Sequence, residues 1–324
     1  MYIRISGRLL VNAASMNAQG VVGNVVELTK VHLTLFRNGS YDIVEVPAVT
    51  GNSLKHWHFI HFIEQYKRLG GSHLCKDCIR GIGYRTRMYQ NKRDIGNDEA
   101  DYIKGCAGED LHGFLMPDKQ VRRESLVKFS FLVPIEDILE YPLDTVTHNR
   151  VVLTEGGRIE AEAAMMLFKR QYASNIYGFS STLDLGLIGV RLYSPDKKPV
   201  IEPEERILRA KASILAFIPM LSGKFGANMS RSLPAERVEQ LIVATSRNPI
   251  PLLVNGMYSD YVDKSLKVLE NYCKSAGIEA TLHTYGVSVR EAEKVEIQQY
   301  DDWSDIFVKL AEEVEKSLGA STNS

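Results

Sequence analysis

The stretch VTGNSLKHWHFIHFIEQYKRLGG, residues 49–71, sets the fold, because it reads as the first helix of the core. One face of that helix carries large apolar residues at the i, i+3, i+4, i+7 spacing: Phe59, Phe62, Ile63 and Tyr66. Asn52 or Ser53 can cap its start, and the glycine pair at 70–71 can end it. The stretch therefore predicts an amphipathic helix over 51–69.

Predicted strands and helices follow one another on either side of this helix in the order of a known fold. Residues 2–12 alternate apolar and polar side chains, which is typical of a strand. With the two long stretches described next left out, the predicted core is strand 2–12, helix 51–69, strand 126–133, strand 184–193, helix 203–222 and strand 249–255. This β-α-β-β-α-β order is that of the ferredoxin-like fold, which RNA-recognition modules use with an open sheet face. It predicts an α+β class and, by itself, no activity.

Two long stretches interrupt this core. Residues 72–125 contain six glycines, mixed charges and little periodicity, which predicts an insertion with weak structure of its own. Residues 135–182 form a second insertion, with a helix expected around Ile159–Tyr172. The remaining predicted elements are a hairpin of 25–36 and 42–46 that turns at Asn38-Gly39, a helix over 259–277, a strand over 278–286 and a final helix over 304–318.

Charge is balanced overall but unevenly distributed. The chain has 39 Lys and Arg against 40 Asp and Glu, a net charge of −1. Residues 1–130 hold 18 basic and 13 acidic residues, so a near-neutral chain can still present a basic groove. No apolar run approaches the length of a membrane span and no leader pattern is evident, so we expect a cytoplasmic protein with no membrane partner.

Enzyme signatures are missing from the sequence. There is no phosphate-binding G-x-x-x-x-G-K-[ST] motif, no G-x-G-x-x-G after a strand, no H-E-x-x-H and no G-x-S-x-G. This argues against NTP hydrolysis and metalloprotease chemistry. We expect a protein that is not an enzyme and requires no cofactor.

The start of the helix over 51–69 is the first candidate site. Free backbone N–H groups and the positive end of the helix dipole favour a phosphate there. Asn52 and Ser53 add short donors and Lys55 adds a positive charge one turn into the helix. The alternative is an ordinary capped helix whose Lys and His residues face solvent.

Histidines and cysteines suggest two different metal sites. His56, His58 and His61 do not all share one helix face, so we interpret them as solvated or RNA-contacting residues. The better metal candidate comprises Cys75, Cys78, Cys106 and His112. The C-x-x-C spacing suits a tetrahedral thiolate site, which predicts a possible structural zinc; free thiols are the alternative.

Several basic segments combine cations with aromatic or glycine residues. RGIGYRTRMYQNKR (80–93) interleaves Arg and Lys with Tyr84 and Tyr89, as a single-strand binder requires. GKFGANMSRSLP (223–234) offers backbone amides together with Lys224 and Arg231. A solvated loop and a plain linker are the respective alternatives.

Taken together, the motifs resemble a known family. The segments NAASMNAQGVVGN, VPAVTGNSLKHWH, DLHGFL, FKRQYASNIYGF, DLGLIGV and GKFGANMSRSLP occur in this order from about residue 4 to 255. They resemble the type I-A CRISPR Cascade backbone subunit, also called the DevR-type CRISPR-associated autoregulator family.

The resemblance implies a modified RNA-recognition fold with three parts. Residues 1–71, 126–134 and 183–324 would form the palm, 72–125 the fingers and 135–182 the thumb. Copies would assemble helically along CRISPR RNA beside other Cascade subunits, and would leave the bases free to pair with target DNA. Phe129 and Phe131 share a face and are expected to serve the core, so no aromatic signature for base stacking is present, which favours binding through the RNA backbone.

The resemblance also implies RNA-contacting positions. They are Asn17 and Gln19 in the first loop, Lys55, His56 and His58 at the helix start, His148, Arg150 and Arg170 in the thumb, and Lys224, Asn228 and Arg231 in the glycine-rich loop. Two alternatives stay open: a DNA-binding transcriptional autoregulator, for which no helix-turn-helix pattern is evident, and a metal-dependent RNA-processing enzyme that uses the histidines.

Overall fold

The computed structural model describes residues 1–14, 16, 18–37, 39–83, 98–138, 143–151, 165–225 and 233–319. Its strands are β1 (Tyr2–Ala14), β2 (Ala18–Val22), β3 (Val25–Leu28), β4 (Lys30–Arg37), β5 (Ser40–Pro47), β6 (Phe114–Met116), β7 (Val121–Arg123), β8 (Val127–Phe129), β9 (Val133–Pro134), β10 (Leu143–Val151), β11 (Met165–Leu183), β12 (Ala235–Ser246), β13 (Ala280–Tyr285) and β14 (Val295–Gln299). Its α-helices are α1 (Gly51–Arg68), α2 (Lys76–Ile79), α3 (Glu99–Gly105), α4 (Ala107–His112), α5 (Pro203–Leu215), α6 (Phe217–Leu221), α7 (Tyr261–Ala276) and α8 (Trp303–Gly319). Short 3₁₀ turns occur at Pro117–Lys119 and Leu185–Leu187.

One ten-stranded sheet organises these elements, and β1 lies at its centre. β1 pairs antiparallel with β11 on one side and with β12 on the other. β13 and β14 continue the sheet beyond β12. On the other side, β11 is long enough to pair with β8 near its end and with β10 near its start. The fold is mixed α+β, as the sequence predicts.

The two faces of the sheet carry separate hydrophobic cores. Along β12, Leu241 and Val243 face the core that contains α1, α5, α6 and α8. Ile242 and Ala244 face the opposite core, beneath α7. This alternation follows from the two-residue period of a strand. No helix in the described ranges is long and apolar enough to cross a membrane.

The segment 249–257 covers part of the sheet instead of joining it as the predicted strand. Arg4 Nε donates to the Ile250 carbonyl at 3.0 Å and Arg8 Nε to the Gly256 carbonyl at 2.8 Å. A Cβ on Gly256 would lie 2.2 Å from the Gly7 carbonyl oxygen, so the crossing requires glycine. Pro249 and Pro251 lack the N–H that a ladder needs, which explains why the apolar run forms no strand.

Two other sequence predictions are corrected by the sheet. The predicted strand 184–193 begins with a 3₁₀ turn and has no ladder, and the long strand β11 takes its place in the sheet. Residues 165–172 of the predicted helix Ile159–Tyr172 belong to β11, and 152–164 lie outside the described residues. Pairing on both sides of β11 outweighs the local helical pattern.

The helices match the sequence predictions more closely. α1, α7 and α8 lie where their apolar periodicity places them. The predicted helix over 203–222 is split into α5 and α6 at Ala216. Pro219 explains the break, because its ring clashes with the carbonyl four residues earlier.

Residues 98–125 of the first predicted insertion form regular secondary structure, so the prediction of weak structure is wrong for them. α3, α4 and the β6–β7 hairpin form from this segment. Its centre is Asp110, which binds Arg123 at 2.6 Å and Arg209 of α5 at 2.8 Å, and all three side chains are buried. Buried charges require such partners. The ion pairs therefore fix this segment to α5.

Candidate functional site

The residue that caps the start of α1 is Thr50, and not the predicted Asn52 or Ser53. Thr50 accepts a hydrogen bond from the Ser53 amide at 3.2 Å through its hydroxyl. The first turn contains no acidic residue. A Cβ on Gly51 would lie 2.4 Å from the Phe129 carbonyl oxygen. The glycine therefore makes room for the backbone of β8.

A cleft of about 430 Å³ opens beside this first turn, and we call it the helix-start cleft. Its lining residues are Gly51, Asn52, Lys55, Glu124, Ser125, Val127, Lys128, Phe129 and Phe131. Phe131 exposes 45% of its surface, so it does not serve the core as predicted. Lys128 pairs with Glu124 at 3.1 Å, but both side chains are mostly exposed, so water and salt weaken the pair. The cleft combines cations, an amide side chain and an exposed aromatic ring.

A second cleft of about 540 Å³ shares Lys55 and Ser125 with the helix-start cleft. His56, Gly113 and Leu115 contribute to its lining, and Leu115 exposes 61% of its surface. Lys55 therefore belongs to the walls of both clefts.

His58, two residues further along α1, lies inside the protein. Its Nδ1 is 3.0 Å from Nε2 of His112, and its Nε2 is 3.0 Å from the Ser213 carbonyl. Burial lowers the pKa of His58 to about 3, so the ring is neutral at physiological pH. The side chain is fully buried, so the predicted RNA contact at His58 is corrected to a structural role.

His61 links α1 to the glycine-rich loop. Its Nε2 lies 3.0 Å from the Lys224 carbonyl oxygen, which places Lys224 beside the helix. The Lys224 side chain is exposed. The other two predicted contacts in this loop, Asn228 and Arg231, lie outside the described residues.

Three further predicted contacts, which we call the sheet-edge group, lie on different strands in the local order β10-β11-β3-β2: His148 on β10, Arg170 on β11 and Gln19 on β2. Arg170 pairs in register with Val26 of β3, the strand that follows Gln19 in the hairpin. Gln19 is exposed and accepts from the Lys30 amide at 3.3 Å. The pairing of β2 with β3, and of β3 with β11, therefore connects the predicted first loop to the predicted thumb.

Within this group, exposure differs. His148 is half-buried, stacks on Phe168 with ring centroids 5.3 Å apart, and lies 3.1 Å from the Tyr172 hydroxyl. Arg170 exposes 7% of its surface, so only a small part of its side chain faces solvent. Asn17 and the side chain of Arg150 lie outside the described residues.

Three of the four predicted metal ligands come together. The sulfurs of Cys75, Cys78 and Cys106 all lie within 4.8 Å of one another. Hydrogen bonds from the Cys106 and Cys78 thiols lower the pKa of Cys75. His112 is not in the group, because it lies at the far end of α4 from Cys106 and turns its ring towards His58. Of the four predicted ligands, the structure therefore brings only the three cysteines together.

Comparison with known proteins identifies the family. The family described as "CRISPR-associated negative auto-regulator DevR/Csa2" matches residues 5–266. This chain belongs to the DevR/Csa2 family. The resemblance found in the sequence motifs is thereby confirmed.

Relatives of known name agree with membership in the DevR/Csa2 family. A Methanocaldococcus jannaschii protein named "CRISPR-associated protein Cas7/Cst2/DevR" is 43% identical over 307 residues, covering 90% of this chain and 95% of the relative. A Saccharolobus solfataricus protein named "CRISPR-associated aCascade subunit Cas7/Csa2 2" is 25% identical, covering 95% and 100%. A chain from a solved structure called "CRISPR RNA-guided surveillance complex, pre-nicking" superposes with a TM-score of 0.50 at 12% identity, covering 97% and 100%.

The geometry explains a DevR/Csa2 motif whose role sequence reasoning missed. DLHGFL begins with Asp110, the centre of the buried ion pairs, and continues with Leu111 in the core and His112 against His58. Gly113 has a φ of 73°, and a Cβ there would lie 2.5 Å from the Arg123 carbonyl oxygen. An acidic residue followed by a helix-ending glycine is the only sequence signal for this role, and it is a weak one.

Proposed function

We propose that this protein is a non-catalytic backbone subunit of a CRISPR RNA-guided complex in the cytoplasm. Membership in the DevR/Csa2 family and a relative named as an aCascade subunit support this. The structural observation that carries the RNA-binding part is Lys55, which lines two adjacent clefts beside a helix start that has no acid in its first turn. Such a start favours phosphate.

We infer that the core is ferredoxin-like, as in RNA-recognition modules. Neighbouring strands follow the order β12-β1-β11-β8, and each adjacent pair is antiparallel. When these four are numbered by their place in the β-α-β-β-α-β order, the arrangement is 4-1-3-2, with α1 and α5 as the two helices. The fingers would retain the boundaries 72–125. The thumb, predicted at 135–182, would lose residues 173–182 to the palm, because this part of β11 pairs with β1 as the third core strand.

The RNA would be held through its backbone. An RNA-recognition module stacks bases on its open sheet face. Here residues 249–257 cover β1, since Ser6 donates to the Val254 carbonyl at 2.7 Å. The bases therefore have no platform on that part of the sheet, which suits a guide whose bases must pair with target DNA.

Affinity would come from repetition along the strand. A chain with a net charge of −1 binds one short stretch of RNA weakly, and copies that associate head to tail in an open helix add their contacts. The proposed contacts of each copy are Lys55, His56, Lys224 and the sheet-edge group, together with Asn17, Arg150, Asn228 and Arg231. The partners would be CRISPR RNA, further copies of the chain and other Cascade subunits.

The decisive experiment compares two lysine variants. Lys55→Ala is compared with Lys267→Ala, whose lysine is exposed on α7, in fluorescence anisotropy with a labelled single-stranded RNA. Lys55→Ala should weaken binding and reduce the slope of log affinity against log salt by about 0.7, the value for one lost phosphate contact on a single strand. Lys267→Ala should leave both unchanged.

Other outcomes would contradict the proposal. Equal effects of the two variants would remove the helix-start cleft from the RNA path. A preference for duplex DNA in competition would favour the transcriptional autoregulator. Cleavage of the RNA that a chelator abolishes would favour the processing enzyme, although His58, one of its proposed metal ligands, is fully buried.

A further inference from the structure

We propose that Cys75, Cys78 and Cys106 bind one zinc ion, which ties the segment after α1 to the junction of α3 and α4. The ion would have a structural role, separate from RNA binding.

The positions of the three sulfurs suit a single ion. Tetrahedral zinc with Zn–S bonds of about 2.3 Å separates its sulfurs by about 3.8 Å, and the three thiols here lie within 4.8 Å of one another. Cys75 precedes α2, and its sulfur accepts from the Cys78 amide at 3.4 Å. This is the tight turn that C-x-x-C ligands adopt around a metal. Cys106 reaches the pair from the break between α3 and α4.

The surroundings favour a thiolate-binding metal of the zinc type. Cys78 and Cys106 are fully buried and Cys75 exposes 9% of its surface. Soft sulfur ligands select zinc over magnesium or calcium. Among the described residues, no other Cys, His, Asp or Glu joins the group. One coordination position thus remains for a fourth ligand such as water.

A metal here would hold together chain segments that are distant in sequence. Cys78 and Cys106 are 28 positions apart in the sequence, and a link that closes a long loop reduces the entropy of the unfolded chain. The Ala107 amide already donates to the His73 carbonyl at 2.8 Å across the same junction. Zinc would reinforce the anchor of α4, and with it Asp110 and His112.

The test measures metal content and a cobalt spectrum on the full chain. Purified protein should contain one zinc per chain by elemental mass spectrometry, and replacement with Co²⁺ should give sulfur-to-cobalt charge-transfer bands and the strong visible bands of tetrahedral cobalt. Cys106→Ser should lose both signals. Cys273→Ser is the matched control, because Cys273 is buried in the separate core beneath α7.

A measurement on the unmodified chain guards against a variant that fails to fold. Treatment with a strong chelator should lower the melting temperature and make Cys75, Cys78 and Cys106 react faster with an alkylating reagent, while Cys273 reacts as before. Protein that binds neither zinc nor cobalt, or whose melting temperature and alkylation ignore the chelator, would show that the three are free thiols. RNA binding is measured separately, so either proposal can fail alone.

Discussion

Two charged regions of this molecule contain similar residues in opposite surroundings. Asp110, Arg123 and Arg209 form ion pairs of 2.6 and 2.8 Å with no exposure to solvent at their side chains. Lys55 instead lines two open clefts, and Lys128 nearby is mostly exposed beside Glu124. Both regions are polar in the sequence, but the side chains of the first are buried and those of the second line open clefts.

The difference separates stability from binding. A buried charge that loses its partner cannot recover it from water, so the fold depends on the pair. A cation at an open cleft is solvated without a ligand and gains from a phosphate when one arrives. Variants in the two regions should therefore affect different measurements.

The largest expected effect is on the buried network. Asp110→Ala leaves two buried guanidinium groups without their central carboxylate and should lower the free energy of unfolding by about 3–5 kcal/mol. Urea unfolding measures this, with the exposed Asp118→Ala as control, which should change it by less than about 0.5 kcal/mol. Similar values for the two variants would mean that the network does not anchor residues 98–125.

The next effect tests whether residues 249–257 are held tightly on the sheet. Gly256→Ala places a methyl group 2.2 Å from the Gly7 carbonyl oxygen, and the backbone shift should cost about 1–3 kcal/mol. Gly20→Ala is the control, because a Cβ there meets no atom within 4 Å. If Gly256→Ala unfolds at the same urea concentration as the control, the cover is loose and the sheet face is accessible.

The next effect depends on pH and tests the buried side of α1. His58 has a pKa of about 3 in the folded state against 6.5 unfolded, so the unfolded chain binds more protons between these values. Stability should therefore fall as pH falls from 6.5 towards 3, by up to about 1.4 kcal/mol per pH unit. His58→Gln should show a flatter dependence below pH 6.5; equal slopes in the two proteins would indicate that the imidazole is protonated in the fold.

The smallest expected effect on stability belongs to the open clefts. Lys55→Ala should change the free energy of unfolding by less than about 0.5 kcal/mol, although it weakens RNA binding. Chemical unfolding and anisotropy on the same sample measure the two quantities. A loss of stability as large as that of Asp110→Ala would assign Lys55 to the scaffold.

The spacing of apolar residues correctly predicted the helices that pack one apolar face against a core. α1, α7 and α8 each show a helical stripe of apolar residues, and the observed cap of α1, Thr50, lies two or three positions before the predicted Asn52 or Ser53. β11 and β12 were not predicted, because these two strands are stabilised by pairing with segments that are far away in the sequence. β1 lies between them, and no local pattern records that pairing.

The candidate site was predicted in part for the same reason. Lys55 is half-buried and His56 is exposed on α1, as the polar residues near the start of the predicted helix suggest. His58 turns inward because its partners, His112 and Ser213, come from distant segments. The ion pairs of Asp110 span 13 and 99 positions, so only the folded chain brings them together.

The contacts between β1 and residues 249–257 have a consequence for folding during synthesis of the chain. Arg4 and Arg8 bind carbonyl groups 246 and 248 positions later, so the contacts of β1 are complete only after residue 256 has been translated. One edge of β1 can pair with β11 once residue 183 has been translated, but the other edge lacks its partner until β12 follows, and an unpaired edge favours association with other nascent chains. Folding should therefore be slow, and chains that terminate before residue 257 should aggregate.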